Sequence, residues 1–123
     1  MKKILIVEDH KDIRKLLRMT LEFEDVEILE AATGDDGWTQ ARETQPDVVL
    51  LDVMMPGLLN GFEVCQRIKQ TPSLRHTRVV MLTAKGTAAD KEQGQHCGVD
   101  GYLVKPFSTL QVLDVLHEMG ACT

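Results

Sequence analysis

Cysteine is scarce in this chain: Cys65, Cys97 and Cys122 are an odd set without metal-type spacing. That excludes a disulfide framework and a zinc site and leaves small buried or terminal thiols. Long apolar runs are also missing. After Met1-Lys2-Lys3 only four apolar residues, 4–7, precede Glu8-Asp9, far short of a signal-peptide core or a membrane span. The expected location is the cytoplasm, with no membrane partner. A basic excess is lacking as well: 14 Lys and Arg stand against 19 Asp and Glu, a net charge of −5. Phosphate contacts need clustered cations, so direct nucleic-acid binding is not expected. Repeats, low-complexity segments and linkers are absent. The 123 residues, 43% hydrophobic, suffice for one domain with a buried core and leave no room for a second.

What is present is order. Short, mostly β-branched apolar runs at 4–7, 26–31, 48–51, 79–82 and 102–104 read as five strands. Helical spacing fills the intervals, most clearly in Ile13, Leu16, Leu17 and Leu21. Asn60 with Glu63 forms a capping-box pattern, starting a third helix whose Phe62, Cys65 and Ile68 face inward. Ser108 is placed to cap the last helix, with Leu110, Leu113 and Leu116 at helical spacing. The segment 86–98 is the weakest helix, with few apolar residues and Gly94 inside, and is expected to be loosely held. Unbroken apolar strands alternating with helices imply an α/β fold. Its expected form is a doubly wound, five-stranded parallel sheet of order 2-1-3-4-5, with five helices on both faces.

In such a sheet the residue after each strand reaches the same edge. That edge collects Glu8 and Asp9 after strand 1, Asp52 after strand 3, Thr83 after strand 4 and Lys105 after strand 5. Singly, each has an ordinary alternative: Asp9, Asp52 or Thr83 as a cap, Lys105 as a solvated charge. Together they define a crevice. Carboxylates crowded there repel by about 4 kcal/mol per pair at 4 Å in an effective dielectric near 20. Lys105 offsets one charge, and a hard divalent ion such as Mg²⁺ offsets two more while keeping waters for exchange with phosphate oxygens. An acidic pocket with Mg²⁺ and one lysine points to phosphoryl transfer. Glu8 and Asp9, adjacent, suit the ion; Asp52, alone at the centre, is the better nucleophile.

The stretches "ILIVEDH", "VVLLDVMMPG", "NGFEV", "VVMLTAK" and "GYLVKPFS", in this order, resemble the receiver domain of two-component response regulators along essentially the whole chain. The resemblance implies a flavodoxin-like receiver, residues 1–123, without an output domain, and not a turnover enzyme. Asp52 is then the aspartate phosphorylated by a sensor histidine kinase or histidine phosphotransfer protein. Mg²⁺ is held by Asp9, Asp52 and the Met54 carbonyl, with Glu8 helping through water. Thr83 becomes the switch hydroxyl, Tyr102 the aromatic that swings behind it, and Thr83, Ala84 and Lys105 the phosphate contacts. Lys105-Pro106 matches the family's cis peptide. The surface of helix 4, strand 5 and helix 5 then signals to a downstream protein, from a monomer or a phosphorylation-dependent homodimer.

Two departures from that pattern matter. Gly57-Leu58-Leu59-Asn60 makes the loop beyond Asp52 one residue longer than usual, with two leucines either exposed to a partner or packed beneath it. Met54, apolar and two residues past Asp52, is expected to limit attacking water and prolong the acyl phosphate. Rival readings are a haloacid-dehalogenase-type phosphatase, an FMN carrier and a phosphorylation-independent interaction module of receiver fold. The phosphatase needs a general-acid Asp where Met54 stands, and "VEDHKD" would repel the phosphate of FMN.

Overall fold

Val48–Asp52 is the axis of the molecule, five residues buried on both faces in the centre of a parallel sheet. The computed structural model describes residues 2–55, 59–84, 92 and 95–120. Its strands are β1 (Lys2–Val7), β2 (Val26–Ala31), β3 (Val48–Asp52), β4 (Arg78–Thr83) and β5 (Gly101–Val104), ordered β2-β1-β3-β4-β5. All neighbours run parallel. Each strand matches its apolar run, and four of the five extend a residue or two beyond it, because backbone pairing continues past the last apolar side chain.

Successive side chains alternate between the faces. Leu5, Val7, Val49, Leu51, Val79 and Met81 meet helices α2 (Gly34–Thr44) and α3 (Gly61–Gln70) on one side. On the other, Ile4, Ile6, Leu50, Val80 and Leu82 meet α1 (Lys11–Leu21) and the C-terminal helix (Thr109–Glu118). Covering both faces is why these strands lack polar alternation, whereas β2, at the margin, is only partly buried. No helix among the described residues is long and apolar enough to cross a membrane.

Local signals set the helix starts. Asn60 accepts from the Glu63 N–H at 3.0 Å while Glu63 accepts from the Asn60 N–H at 3.1 Å, the reciprocal box expected. Ser108 and Gln111 form a second such box. Thr33 caps α2 through the Asp36 N–H at 3.1 Å. Phe62, Cys65 and Ile68 face the core as expected, joined by Val64.

Two expectations change and one open alternative closes. Leu110 is 66% exposed, and the C-terminal helix instead buries Val112 and Leu116, with Val115 and Met119 partly buried at the same helical spacing. Leu113 turns toward α1. Leu16 is 40% exposed while Leu17 and Leu21 are fully buried, so the inward stripe of α1 is narrower than its leucines imply. Leu59 is 8% exposed and joins the core, so it packs beneath the loop and is not presented to a partner. Leu58 and most of segment 86–98 lie outside the described residues; residues 92 and 95–97 are helical.

The rotated face of the C-terminal helix gives a direct test. Leu116→Ala should lose about 2–5 kcal/mol of stability by emptying a buried site, and Leu110→Ala less than about 0.5 kcal/mol. Urea unfolding measures both, and equal losses would contradict this packing.

Candidate functional site

Parallel strands end together, and here they end in charge. Glu8 and Asp9 follow β1, Asp52 closes β3, Thr83 closes β4, and Lys105 follows β5. The ladder sets their heights: Asp52 pairs with Leu82, Thr83 pairs with Val104, and the Lys105 N–H donates to the Thr83 carbonyl at 2.7 Å. The Lys105-Pro106 peptide is cis, as the resemblance implies. Phe107 beyond it is buried.

Lys105 reaches across the crevice. Its Nζ lies 3.2 and 3.1 Å from the two Glu8 oxygens and 3.2 Å from Asp52 Oδ1. Glu8 is fully buried and also accepts from the His10 N–H at 3.2 Å, with His10 Nδ1 2.8 Å from the same oxygen. Both Glu8 oxygens are therefore engaged. Arg14, one turn into α1, donates from Nη1 to the Glu8 carbonyl at 2.8 Å and pairs through Nε with Glu30 at 3.3 Å.

Asp52 and Asp9 are different. Asp52, 3% exposed, receives Lys105 and the Met54 N–H, at 3.4 Å, on Oδ1. Its Oδ2 and Asp9 Oδ1 are buried without a hydrogen-bond partner among the described residues. His10 Nδ1 lies 3.2 Å from Asp9 Oδ1 but not in hydrogen-bonding geometry. Asp9 and Asp52 are both acceptors only when ionised; burial, then the hydrogen bond that a protonated Asp52 shares with Asp9, then the charge of Glu8, push the Asp52 carboxyl up to about 7, with Lys105 opposing. Glu8 and Asp9 hold the His10 imidazole above its ordinary value, first through the Glu8 bond.

Glu8, Asp9, His10 and Asp52 each offer a ligand atom within 4.8 Å of the others. The two oxygens left without donors belong to carboxylates, the donor type that suits a hard cation such as Mg²⁺. The residues fit that ion. Gly61 starts α3 so close to β3 that a Cβ there would strike the Asp52 carbonyl oxygen and lie 2.8 Å from the Val53 Cα.

The sequence-derived set is thus partly assembled and partly layered. Glu8, Asp9, Asp52 and Lys105 meet directly, Thr83 adjoins through the backbone, and Ala84 follows it at the surface. Tyr102 stands deeper on β5, opposite Met81, half-buried against the α3-side core, which raises its phenol pKa. The Met54 side chain is 76% exposed, so the shielding of Asp52 expected from its apolar character has no packing behind it. Arg14 and His10 join the site without having been singled out in the sequence. His10 is the α1 N-cap but makes no side-chain cap bond, its ring being turned to the acids. Their i, i+4 spacing just after an acidic pair was the available signal.

Residues 4–117 match the response regulator receiver domain family. The transcriptional regulatory protein ResD of Bacillus subtilis (strain 168) is 47% identical over 111 residues, covering 90% of this chain and 45% of ResD. The phosphate regulon transcriptional regulatory protein PhoB of Rhizobium meliloti (strain 1021) is 38% identical over 117 residues, covering 95% and 51%. The chain spans about half the length of these curated relatives. The chemotaxis response regulator CheY4 of Vibrio cholerae has the same fold, with a TM-score of 0.90 at 32% identity over 97% of this chain and 98% of that one. With its strand order, its acidic edge and these matches, the chain belongs to the family of response regulator receiver domains.

Proposed function

We propose that Asp52 accepts a phosphoryl group from a phosphohistidine of a sensor histidine kinase or phosphotransfer protein. The observation that carries this is the asymmetry of its carboxylate: Oδ1 is held by Lys105 and the Met54 N–H, while buried Oδ2 has no donor among the described residues. Oδ2 attacks phosphorus, the P–N bond breaks, and its electron pair leaves with the imidazole, giving an acyl phosphate on Asp52. Oriented by its bonds to Glu8, Lys105 pairs with the phosphoryl oxygens, and Thr83 and Ala84 line the same edge. Asp9, Asp52 and the Met54 carbonyl would hold Mg²⁺, with Glu8 acting through water, and the bound ion supplies positive charge to offset the carboxylates and the incoming phosphate. Beside Lys105, Pro106 and Phe107 line an apolar depression with Ile13 and Leu16, a surface on which the donor protein can seat.

Phosphorylation adds close to two negative charges and new acceptor oxygens. Thr83 turns toward them, and Tyr102, packed behind β4, follows into the vacated space. The surface of β5 and the C-terminal helix is thereby biased toward a second packing read by a downstream protein or a second copy of the chain. Turnover of external substrates is not part of this reading. Neither is direct binding of nucleic acid, given the net charge of −5, nor of a membrane; the cytoplasm is its setting.

Incubation with acetyl phosphate and Mg²⁺ should yield a base-labile adduct in the wild type and none in Asp52→Asn. An adduct retained in Asp52→Asn would overturn the assignment. Absence of any adduct would favour a phosphorylation-independent interaction module, and continuous turnover of many phosphoesters an enzyme.

The raised pKa of Asp52 also has a sign in stability. Between the ordinary value of 3.8 and about 7 the folded state keeps a proton that the unfolded chain has released. Its contribution is therefore full below that window and is lost as pH rises through about 7. In chelator at pH 8, Asp52→Asn should melt above the wild type by on the order of 5 °C, with the gap shrinking toward pH 5. Saturating Mg²⁺ should narrow it at pH 8, because the variant binds the ion more weakly. Equal melting temperatures at pH 8 in chelator would contradict the charge-crowding argument.

A further inference from the structure

The loop that leaves Asp52 carries Met54 and ends at Asn60, the cap of α3. Its near end is fixed by the sheet: the Val53 N–H donates to the Leu82 carbonyl at 3.1 Å. Its far end is fixed twice. The Gly61 N–H donates to the Val53 carbonyl at 3.0 Å, and the Leu59 N–H donates to Asp35 Oδ1 at 3.1 Å. Asp35 belongs to another element, the first turn of α2, 24 residues away in sequence. Its neighbour Gly34 touches the same residue, since a Cβ at position 34 would collide with the Leu59 carbonyl oxygen and come 3.2 Å from the Leu59 Cβ. Leu59 is thus gripped by its N–H, its carbonyl side and its side chain, which is buried beside Val53 and Phe62.

Such a grip has a use here. The stretch between Pro56 and Gly61 is one residue longer than the pattern this chain resembles, and each added residue enlarges the set of conformations a loop can adopt. A freer loop would place Met54 less sharply, both its N–H, which donates to Asp52 Oδ1 at 3.4 Å, and its carbonyl, the proposed metal ligand.

We propose that Asp35 is a positioning residue for the phosphorylation site: by accepting the Leu59 N–H it fixes the far end of the loop that presents Met54 to Asp52 and to the metal. Gly34 supplies the clearance that this contact requires. The inference rests on the reading of Asp52 as a Mg²⁺-dependent phosphoryl acceptor. It makes α2 part of the site through its bond to the Leu59 backbone.

The test compares Asp35→Ala, which removes the acceptor, with Asp35→Asn, which removes the charge and keeps an oxygen in place. Adduct formation from acetyl phosphate is followed across a Mg²⁺ titration, and Mg²⁺ binding is measured separately by calorimetry on the full chain. Asp35→Ala is expected to raise the Mg²⁺ concentration for half-maximal effect in both assays by about three- to tenfold, less than the roughly 10- to 100-fold of a partner that bonds a metal ligand directly, with Asp35→Asn close to wild type. Gly34→Ala, which displaces Leu59 by contact, should shift both midpoints in the same direction. An Asp35→Ala protein with wild-type midpoints overturns the proposal, as does one altered only in melting temperature. Equal weakening by Ala and Asn would assign the effect to charge and also overturn it. If the wild type forms no adduct, the underlying reading of Asp52 fails instead, and the calorimetric Mg²⁺ midpoints alone then decide whether Asp35 supports the metal site.

Discussion

One ammonium group holds the active edge together. Lys105 Nζ bridges Glu8 and Asp52, one fully buried and one nearly so, with Asp9 beside them. Buried carboxylates at such spacing repel strongly, and without the lysine they would have to take up protons or separate. The bridge leaves the site short of positive charge, with one oxygen of Asp9 and one of Asp52 still lacking a donor among the described residues. That residual deficit makes the pocket receptive to a divalent ion, and the ion in turn makes it receptive to a phosphoryl group. Stability and function therefore oppose each other at Asp52.

The sheet makes this arrangement possible. Because β1, β3, β4 and β5 run parallel, residues up to 97 positions apart, such as Glu8 and Lys105, arrive at one edge without any loop having to bring them there. Two glycines let helices approach the same edge: Gly61 seats α3 on the Asp52 backbone, and Gly34 lets α2 meet the loop beyond it. The crevice is held on the strand side by the sheet ladder and on the loop side by the backbone bonds of Val53, Leu59 and Gly61.

Much of this was legible in the sequence because it depends on local rules. Unbroken apolar runs gave the strands, their alternation with helices gave the order, and parallelism alone gathered Glu8, Asp9, Asp52, Thr83 and Lys105. The Asn60 and Ser108 caps were readable from residues three apart. What was not legible depends on which way a helix rolls or on distant pairs. Leu110 and Leu116 look equivalent as sequence, yet only the latter faces β5 and its neighbours, because the valine at 112 shares its stripe. Leu59 reads equally as exposed or packed until α2 is placed beside it. Asp35 carries no motif, and its partner is a backbone N–H 24 residues away. His10 and Arg14 were readable as helix residues but not as donors to Glu8, since that depends on how the chain turns after β1.

The central claim is that Asp52 itself forms the acyl phosphate. Reductive trapping tests it most directly: protein treated with acetyl phosphate and Mg²⁺ is reduced with borohydride, which converts an aspartyl phosphate to homoserine, and the digest is sequenced by mass spectrometry. The account predicts homoserine at position 52 and nowhere else. Conversion at Asp9, or at any other carboxylate with position 52 unchanged, would contradict it.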